Sequence, residues 1–203
     1  MTELEMIVTG RRTIRKTIAQ PIDRQLLLEL LEKAAYAPFH SKTEPWSVYM
    51  AITAEEKAYF LQCVLESYER NDILAEFNEQ QLEKIKEANE KAFFQTGANL
   101  IVAADLFDDE KQNLESLGAT AAFIQNLQLL AWEKKIGVVW RTNPYIFDRQ
   151  FAAAFGIPET KRVVGSLHLG YFEEKHVPKP LSRRPLTAWV RPIQLGHARR
   201  GEA

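Results

Sequence analysis

Leu117-Gly118-Ala119-Thr120-Ala121-Ala122-Phe123-Ile124-Gln125-Asn126-Leu127-Gln128-Leu129-Leu130-Ala131-Trp132 contains no charged residue. With the following residues to Lys135 it reads as one long helix. A helix that is apolar around most of its circumference must be buried on several sides, in a core or at a subunit interface. Its neighbours in sequence are strands. Ala98 to Phe107, with an unbroken apolar run from Leu100 to Ala104, reads as a buried strand covered on both faces, and Gly137 to Trp140 is a short second one. Strands set around a central helix, without a regular strand–helix alternation, make this an α+β chain.

Outward from that helix the signals stay local. Met1 to Thr9 places Leu4, Ile7 and Val8 on one helix face, with Gly10 as a left-handed stop. Pro21-Ile22-Asp23 opens a helix whose stripe runs through Leu26, Leu27, Leu30, Leu31, Ala34 and Ala35 until Pro38. Phe39 to Pro45 is a polar loop, Trp46 to Thr53 a strand, and Thr53-Ala54-Glu55-Glu56 a capping box. Residues 73–95 are the most highly charged part and read as an exposed helix or helix pair, a flap or a partner surface. On the far side, Asp148 to Phe155 is a helix closed by Gly156, and Val163 to Tyr171 is a strand. From Glu173 onward Pro178, Pro180, Pro185 and Pro192 rule out regular helix. The expectation is one domain over residues 1–192 and a disordered tail over residues 193–203.

Arg11-Arg12-Thr13-Ile14-Arg15-Lys16 carries four basic residues in six positions. Thr13 and Ile14 favour an extended backbone, in which Arg11, Thr13 and Arg15 project to one side. Two guanidinium forks flanking a hydroxyl suit a phosphate, and a solvated basic turn is the plain alternative. Two further stretches offer ligand contacts. His40, Ser41, Lys42 and Thr43 sit in the loop before a strand, where a surface histidine is the plain reading of His40. Arg141-Thr142-Asn143 follows the Gly137 strand and combines three donor and acceptor types, with a polar turn at Asn143-Pro144 as the plain reading.

Totals bound what the chain does. A net charge of −1 makes the arginine cluster a local feature and argues against a general nucleic-acid binder. The single cysteine, Cys63, excludes an internal disulfide and sits in an apolar helical setting, so it reads as a buried structural thiol. No stretch approaches membrane-spanning length and the first residues lack a signal-peptide run, so a cytoplasmic protein without membrane attachment is expected. The sequence has no GxxxxGK[ST] or GxGxxG loop, no HExxH pair and no GxSxG elbow. His40, His168, His176 and His197 have no ligand spacing, so no protein metal site is expected. Chemistry here would come from a bound cofactor rather than from a side-chain nucleophile.

These pieces together resemble the FMN-dependent nitroreductases. Members typically read RRSIR, then a helix ending A-x-x-A-P, then S-x-x-N-x-Q-P-W. Here Arg11 to Lys16 is followed by Leu30-Leu31-Glu32-Lys33-Ala34-Ala35-Tyr36-Ala37-Pro38 and Glu44-Pro45-Trp46. The likeness continues through Ala121 to Ala131, Gly137 to Arg141, Phe155-Gly156-Ile157-Pro158, Leu167 to Tyr171 and Pro178-Lys179-Pro180. Length, the His40 loop and Trp140-Arg141 are most similar to the small YdjA-like branch of NAD(P)H nitroreductases.

The resemblance implies an α+β homodimer, its central mixed or antiparallel sheet wrapped by helices, with FMN in a cleft at the subunit interface. Arg11, Arg12 and Thr13 would hold the phosphate and ribityl chain, with Arg15 close by. His40 would lie against the flavin ring, and Arg141, Thr142 and Asn143 would close on the cofactor. Residues 131–136 match a stretch sometimes assigned to NAD(P)H, and Arg183 matches a C-terminal arginine that reaches the phosphate. NAD(P)H would be the co-substrate and a small electron acceptor, such as a nitroaromatic or quinone, the oxidant. Specialised flavin chemistry on the same fold (dehalogenation or flavin fragmentation) and flavin binding without turnover are the alternatives. The chain departs from the family pattern at four positions. Thr13 keeps the hydroxyl of the usual serine, Lys42 and Glu44 replace asparagine and glutamine, and Tyr36 replaces an arginine.

Overall fold

The computed structural model describes residues 1–193. Four strands, β1 (Trp46–Ala51), β2 (Ala98–Asp105), β3 (Ile136–Arg141) and β4 (Lys161–Tyr171), form one sheet in the order β1-β2-β4-β3, and every neighbouring pair is antiparallel. Helices cover both faces, which is why β2 is buried along nearly its whole length and apolar from Leu100 to Ala104. Leu100, Val102 and Ala104 join the core on one face, while Ile101 and Ala103 join the core on the other. Of the tail expected over residues 193–203, all but Ile193 lies outside the described residues.

The first core holds the helices α2 (Arg24–Ala34) and α5 (Glu110–Glu133), which bury Leu27, Leu30, Phe123, Ile124 and Leu127 against the sheet. Phe123 stacks on Trp46 at 5.0 Å between ring centroids. The helix α5 starts seven residues before the uncharged run does. Asp109 caps it by accepting a hydrogen bond from the Gln112 N–H, and its first two turns, with Glu110, Lys111 and Glu115, project outward. The second core holds α3 (Ala54–Arg70), α6 (Arg149–Ala154) and a 3-10 turn over Pro144–Phe147, with Phe151 packed against both Phe60 and Tyr145. The capping box forms as its residue types dictate, with Thr53 and Glu56 satisfying each other's backbone N–H groups. Gly156 ends α6 at φ +68°, and Cys63 is buried.

Three expectations need correction. The first helix, α1 (Glu3–Gly10), keeps Gly10 as its last helical residue, and the chain leaves it through an extended Arg11 rather than a left-handed glycine. Its apolar face is not buried in this chain, since Leu4 and Val8 are 66% and 51% exposed. The helix after Pro21 stops at Ala34, ahead of Pro38, in a turn over Ala35 and Tyr36. In the charged middle, the single-helix alternative forms as α4 (Glu79–Phe94), and only its start is corrected, because residues 71–78 are turn and loop.

Candidate functional site

The arginine stretch is positioned by its one apolar residue. Ile14 is fully buried in the extended segment after α1, over the end of the β3–β4 pair. It fits there because position 137 has no side chain: a Cβ on Gly137 would lie 2.4 Å from the Ile14 Cβ. Thr17 uses a second such notch, where a Cβ on Gly170 would lie 2.7 Å from its own. The Ile18 N–H donates to the Tyr171 carbonyl at 2.8 Å, and the Thr17 hydroxyl donates to the Gln95 carbonyl at 2.7 Å. The segment is thereby pinned between the sheet and the C-terminal end of α4.

Arg11 and Arg12 gather at one end of this segment. Arg11 Nη1 donates to Gln128 Oε1 of α5 at 3.4 Å, and Arg12 Nη1 donates to the Thr9 and Arg11 carbonyls at 2.7 and 2.8 Å. Burial lowers the pKa of Arg11, and the like charges of Arg12 and then Arg183 lower it further. Arg183 comes from the proline-rich arm beyond β4, so three guanidinium groups meet from two distant parts of the chain. None of the three is in an ion pair among the described residues. Uncompensated like charges raise the free energy of the site until an anion arrives. Thr13 is half-buried between Arg12 and Ile14.

Arg15 does not share that environment. It lines a cleft of about 160 Å³ between α4 and the ends of β3 and β4, together with Arg141 and Lys91. Strand register explains Arg141: it pairs with Ser166 and so stands on the same sheet face as Ser166 and His168. Beneath it runs a buried polar chain. Tyr145 and Ser166 share a hydrogen bond at 2.6 Å, and Ser166 Oγ lies 3.4 Å from His168 Nε2. Burial pushes the Tyr145 hydroxyl up to about 12, with the Ser166 hydrogen bond opposing. Burial, then the Arg141 charge, pulls the His168 imidazole down to about 3, so it is neutral. Arg141 Nε is buried without a hydrogen-bond partner among the described residues, while the His168 ring also lies against the Ala92 backbone. Thr142 is exposed, and Asn143 Nδ2 donates to Tyr68 Oη at 3.2 Å.

His40 lies elsewhere. It is exposed and lines a cavity of about 360 Å³ with Ser41, Thr43 and the α5 residues Ser116 and Ala119. Those residues precede Gln128 by nine to twelve positions along α5, which is roughly 14–18 Å at 1.5 Å per residue. One chain therefore brings Arg11, Arg12 and Arg183 together, and separately Arg15 and Arg141, while His40 belongs to a third place. Gln128, Lys91 and His168 were not singled out as site residues by the sequence reading. Lys91 was discoverable: Ala88, Lys91, Ala92 and Gln95 follow the i, i+3, i+4, i+7 pattern of one helix face.

Comparison with known proteins bears on the family and the fold. The nitroreductase family matches residues 8–171, a span that contains every site residue named above except Arg183. YfhC of Bacillus subtilis, provisionally named an NAD(P)H nitroreductase, is 31% identical over 90% of this chain and 90% of its own length. A nitroreductase-like family protein from Bacillus cereus superposes with a TM-score of 0.82 at 31% identity, covering 96% of this chain and 97% of the other. The FMN- and NADPH-dependent nitroreductase NfnB from a Sphigopyxis strain shares the fold at a TM-score of 0.75 and 13% identity, over 96% and 100% of the two chains. With the matched span, the relative and the superposition in agreement, the chain belongs to the nitroreductase family.

Proposed function

We propose that this protein is an FMN-dependent oxidoreductase that takes electrons from NAD(P)H and passes them to a small acceptor, a nitroaromatic or a quinone. The observation that carries the reading is the half-buried Arg11, hydrogen-bonded to Gln128 beside Arg12 and under the like charge of Arg183, with none of the three arginines in an ion pair among the described residues. A phosphate monoester carries about two negative charges at neutral pH and accepts paired hydrogen bonds from guanidinium forks. These three arginines would hold the FMN phosphate, with the Thr13 hydroxyl beside them. Arg15 and Arg141, in the neighbouring cleft, would face the ring end. The buried, unpartnered Arg141 Nε supplies a donor that a polar ligand edge would satisfy. When bound, FMN accepts a hydride and returns its electrons to an acceptor, chemistry that no side chain here supplies. The protein's part is to bind, to orient, and to hold positive charge where negative charge arrives.

The remote His40 supports assembly as a homodimer with shared sites. Along α5, Leu114, Gly118, Ala121, Gln125 and Leu129 share one uncharged face that is exposed or half-buried in the single chain. Antiparallel pairing of this face with its copy, about a two-fold axis near Ala121, sets Leu114 against Leu129 and Gly118 against Gln125. The Gln128 end of one helix, with Arg11, then meets the Ser116 end of the other, with His40. Each FMN would lie between the two copies, held by the arginines of one and covered by the His40 loop of its partner. The described residues contain no helix long and apolar enough to cross a membrane.

The test is turnover. The purified protein oxidises NADPH or NADH on addition of a nitroaromatic or a quinone, and Arg11→Ala loses that activity together with its flavin. Bound flavin that resists reduction by excess NADPH and NADH would reject the reading.

A further inference from the structure

The chain leaves the sheet at Arg141, the last residue of β3, so the strand ladder does not fix the segment beyond it. The C-terminal end of α3 takes hold of that segment instead. Tyr68 Oη accepts a hydrogen bond from Asn143 Nδ2 at 3.2 Å. Arg70 pairs with the Asp148 carboxylate at 2.7 Å, and Asn71 Nδ2 donates to the same carboxylate at 3.4 Å. The 3-10 turn over Pro144–Phe147 is thereby clamped at both ends from one helix, while the Tyr145–Ser166 hydrogen bond ties its middle to β4. Of the two ends, the Asn143 end is the one beside Arg141, two positions along the chain.

Tyr68 holds its end of the clamp from a fixed place. Its ring is buried in the second core and packs 6.0 Å from the Tyr145 ring. A close-packed ring keeps its hydroxyl in one position, and a phenylalanine would fill the same space, so the hydroxyl has a purpose other than packing. Burial pushes the Tyr68 hydroxyl up, and the Asn143 hydrogen bond and then the Arg141 charge oppose that shift. The same charge reaches Tyr145 and His168. All three of these neighbours are neutral at pH 7, so they surround Arg141 without cancelling its charge. The buried Arg141 Nε has no partner among the described residues, which leaves the placing of the guanidinium to the backbone on either side of it. On one side that backbone is the β3–β4 ladder, and on the other it is the segment that Tyr68 grips.

We propose that Tyr68 is a positioning residue of the cofactor site: through Asn143 it fixes the segment that follows β3, and so holds the Arg141 guanidinium at the cleft. That the ligand there is a flavin rests on the reading above, whereas the placing of Arg141 belongs to the chain itself. Tyr68 touches no ligand in this account and acts through Asn143 and Arg141 alone.

The test is a double-mutant cycle on FMN binding, followed by fluorescence titration of the full-length protein freed of flavin. Tyr68→Phe, which keeps the ring and removes the hydroxyl, weakens FMN binding by roughly five-fold or more. In an Arg141→Ala background the same substitution changes binding by less than about two-fold, because the group it positions is gone. A merely structural role would weaken binding equally in both backgrounds, and that result overturns the proposal, as does unchanged FMN affinity in Tyr68→Phe. A second readout needs no flavin. The Arg141 Nε–H of the flavin-free protein gives a resolved nitrogen–proton resonance, assigned by its loss in Arg141→Lys, and Tyr68→Phe moves it to the position of a free arginine. A resonance that Tyr68→Phe leaves in place overturns the proposal. A protein that binds no FMN refutes the flavin-dependent reading, and the resonance then decides the role of Tyr68.

Discussion

Arg11 combines partial burial, two arginine neighbours and a single long hydrogen bond to Gln128. Its charge is therefore available to a ligand, and a hydrogen bond to a charged group contributes about 1.5–3 kcal/mol. Arg11→Ala is expected to weaken FMN retention by roughly ten-fold or more, read as flavin per chain after dialysis. Cys63→Ser, in the second core and remote from the arginines, leaves flavin occupancy unchanged. His168 yields a pH prediction with a definite sign. The folded protein keeps it neutral down to about 3, whereas the unfolded chain protonates it below about 6.5. Between those values the unfolded state binds the extra proton. The contribution of this group is complete above about 6.5 and declines by up to about 1.4 kcal/mol per unit as pH falls. Urea unfolding of His168→Phe should show a shallower loss of stability from pH 6 to pH 4 than the wild type. At this scale the sequence was informative about Arg11, Arg12 and Arg141, because clustered donors are visible as residue types. It was not informative about Lys91 and His168, since a lysine in an acid-rich helix and a histidine in an apolar strand acquire their surroundings only through packing.

At the scale of elements, the site depends on how an extended segment lies on the sheet. Gly137→Ala places a methyl group 2.4 Å from the Ile14 Cβ in a fully buried contact. Overpacking of this kind costs about 1–3 kcal/mol, so the variant unfolds at a lower temperature. Because the displaced segment carries Arg11 to Arg15, flavin retention falls with it. Calorimetry and flavin content measured on one preparation check both effects. The same elements show where local pattern is sufficient. Capping boxes, the α6 stop at Gly156 and the continuous burial of β2 follow from nearest neighbours in sequence. The first turns of α5 were missed because their charges hide the apolar period, and Asp109 is the only local signal of the start. The projection of Arg11 and Arg15 to one side assumed a free extended strand. Here the two arginines face different neighbours, α5 for Arg11 and the Arg141 cleft for Arg15.

At the scale of the whole molecule, the distance between His40 and Arg11 along α5 is the central fact, and no local sequence pattern encodes it. Two copies paired through the uncharged α5 face would join the two places. Gly118 tests that pairing cleanly, because a Cβ there would meet no heavy atom within 4 Å in the single chain. Gly118→Glu is expected to keep the monomer folded by circular dichroism while sedimentation shows loss of the dimer, and flavin content should fall in parallel. A dimer that persists in Gly118→Glu would move the interface to another face. The most direct measurement of the account is the visible absorption spectrum of freshly purified protein, with the chromophore identified after denaturation. The account predicts a flavin spectrum, release of FMN at close to one per chain, and bleaching on addition of NADPH or NADH. A colourless protein that takes up no added FMN would contradict it, and Arg11, Arg12 and Arg183 would then be a basic surface without a cofactor.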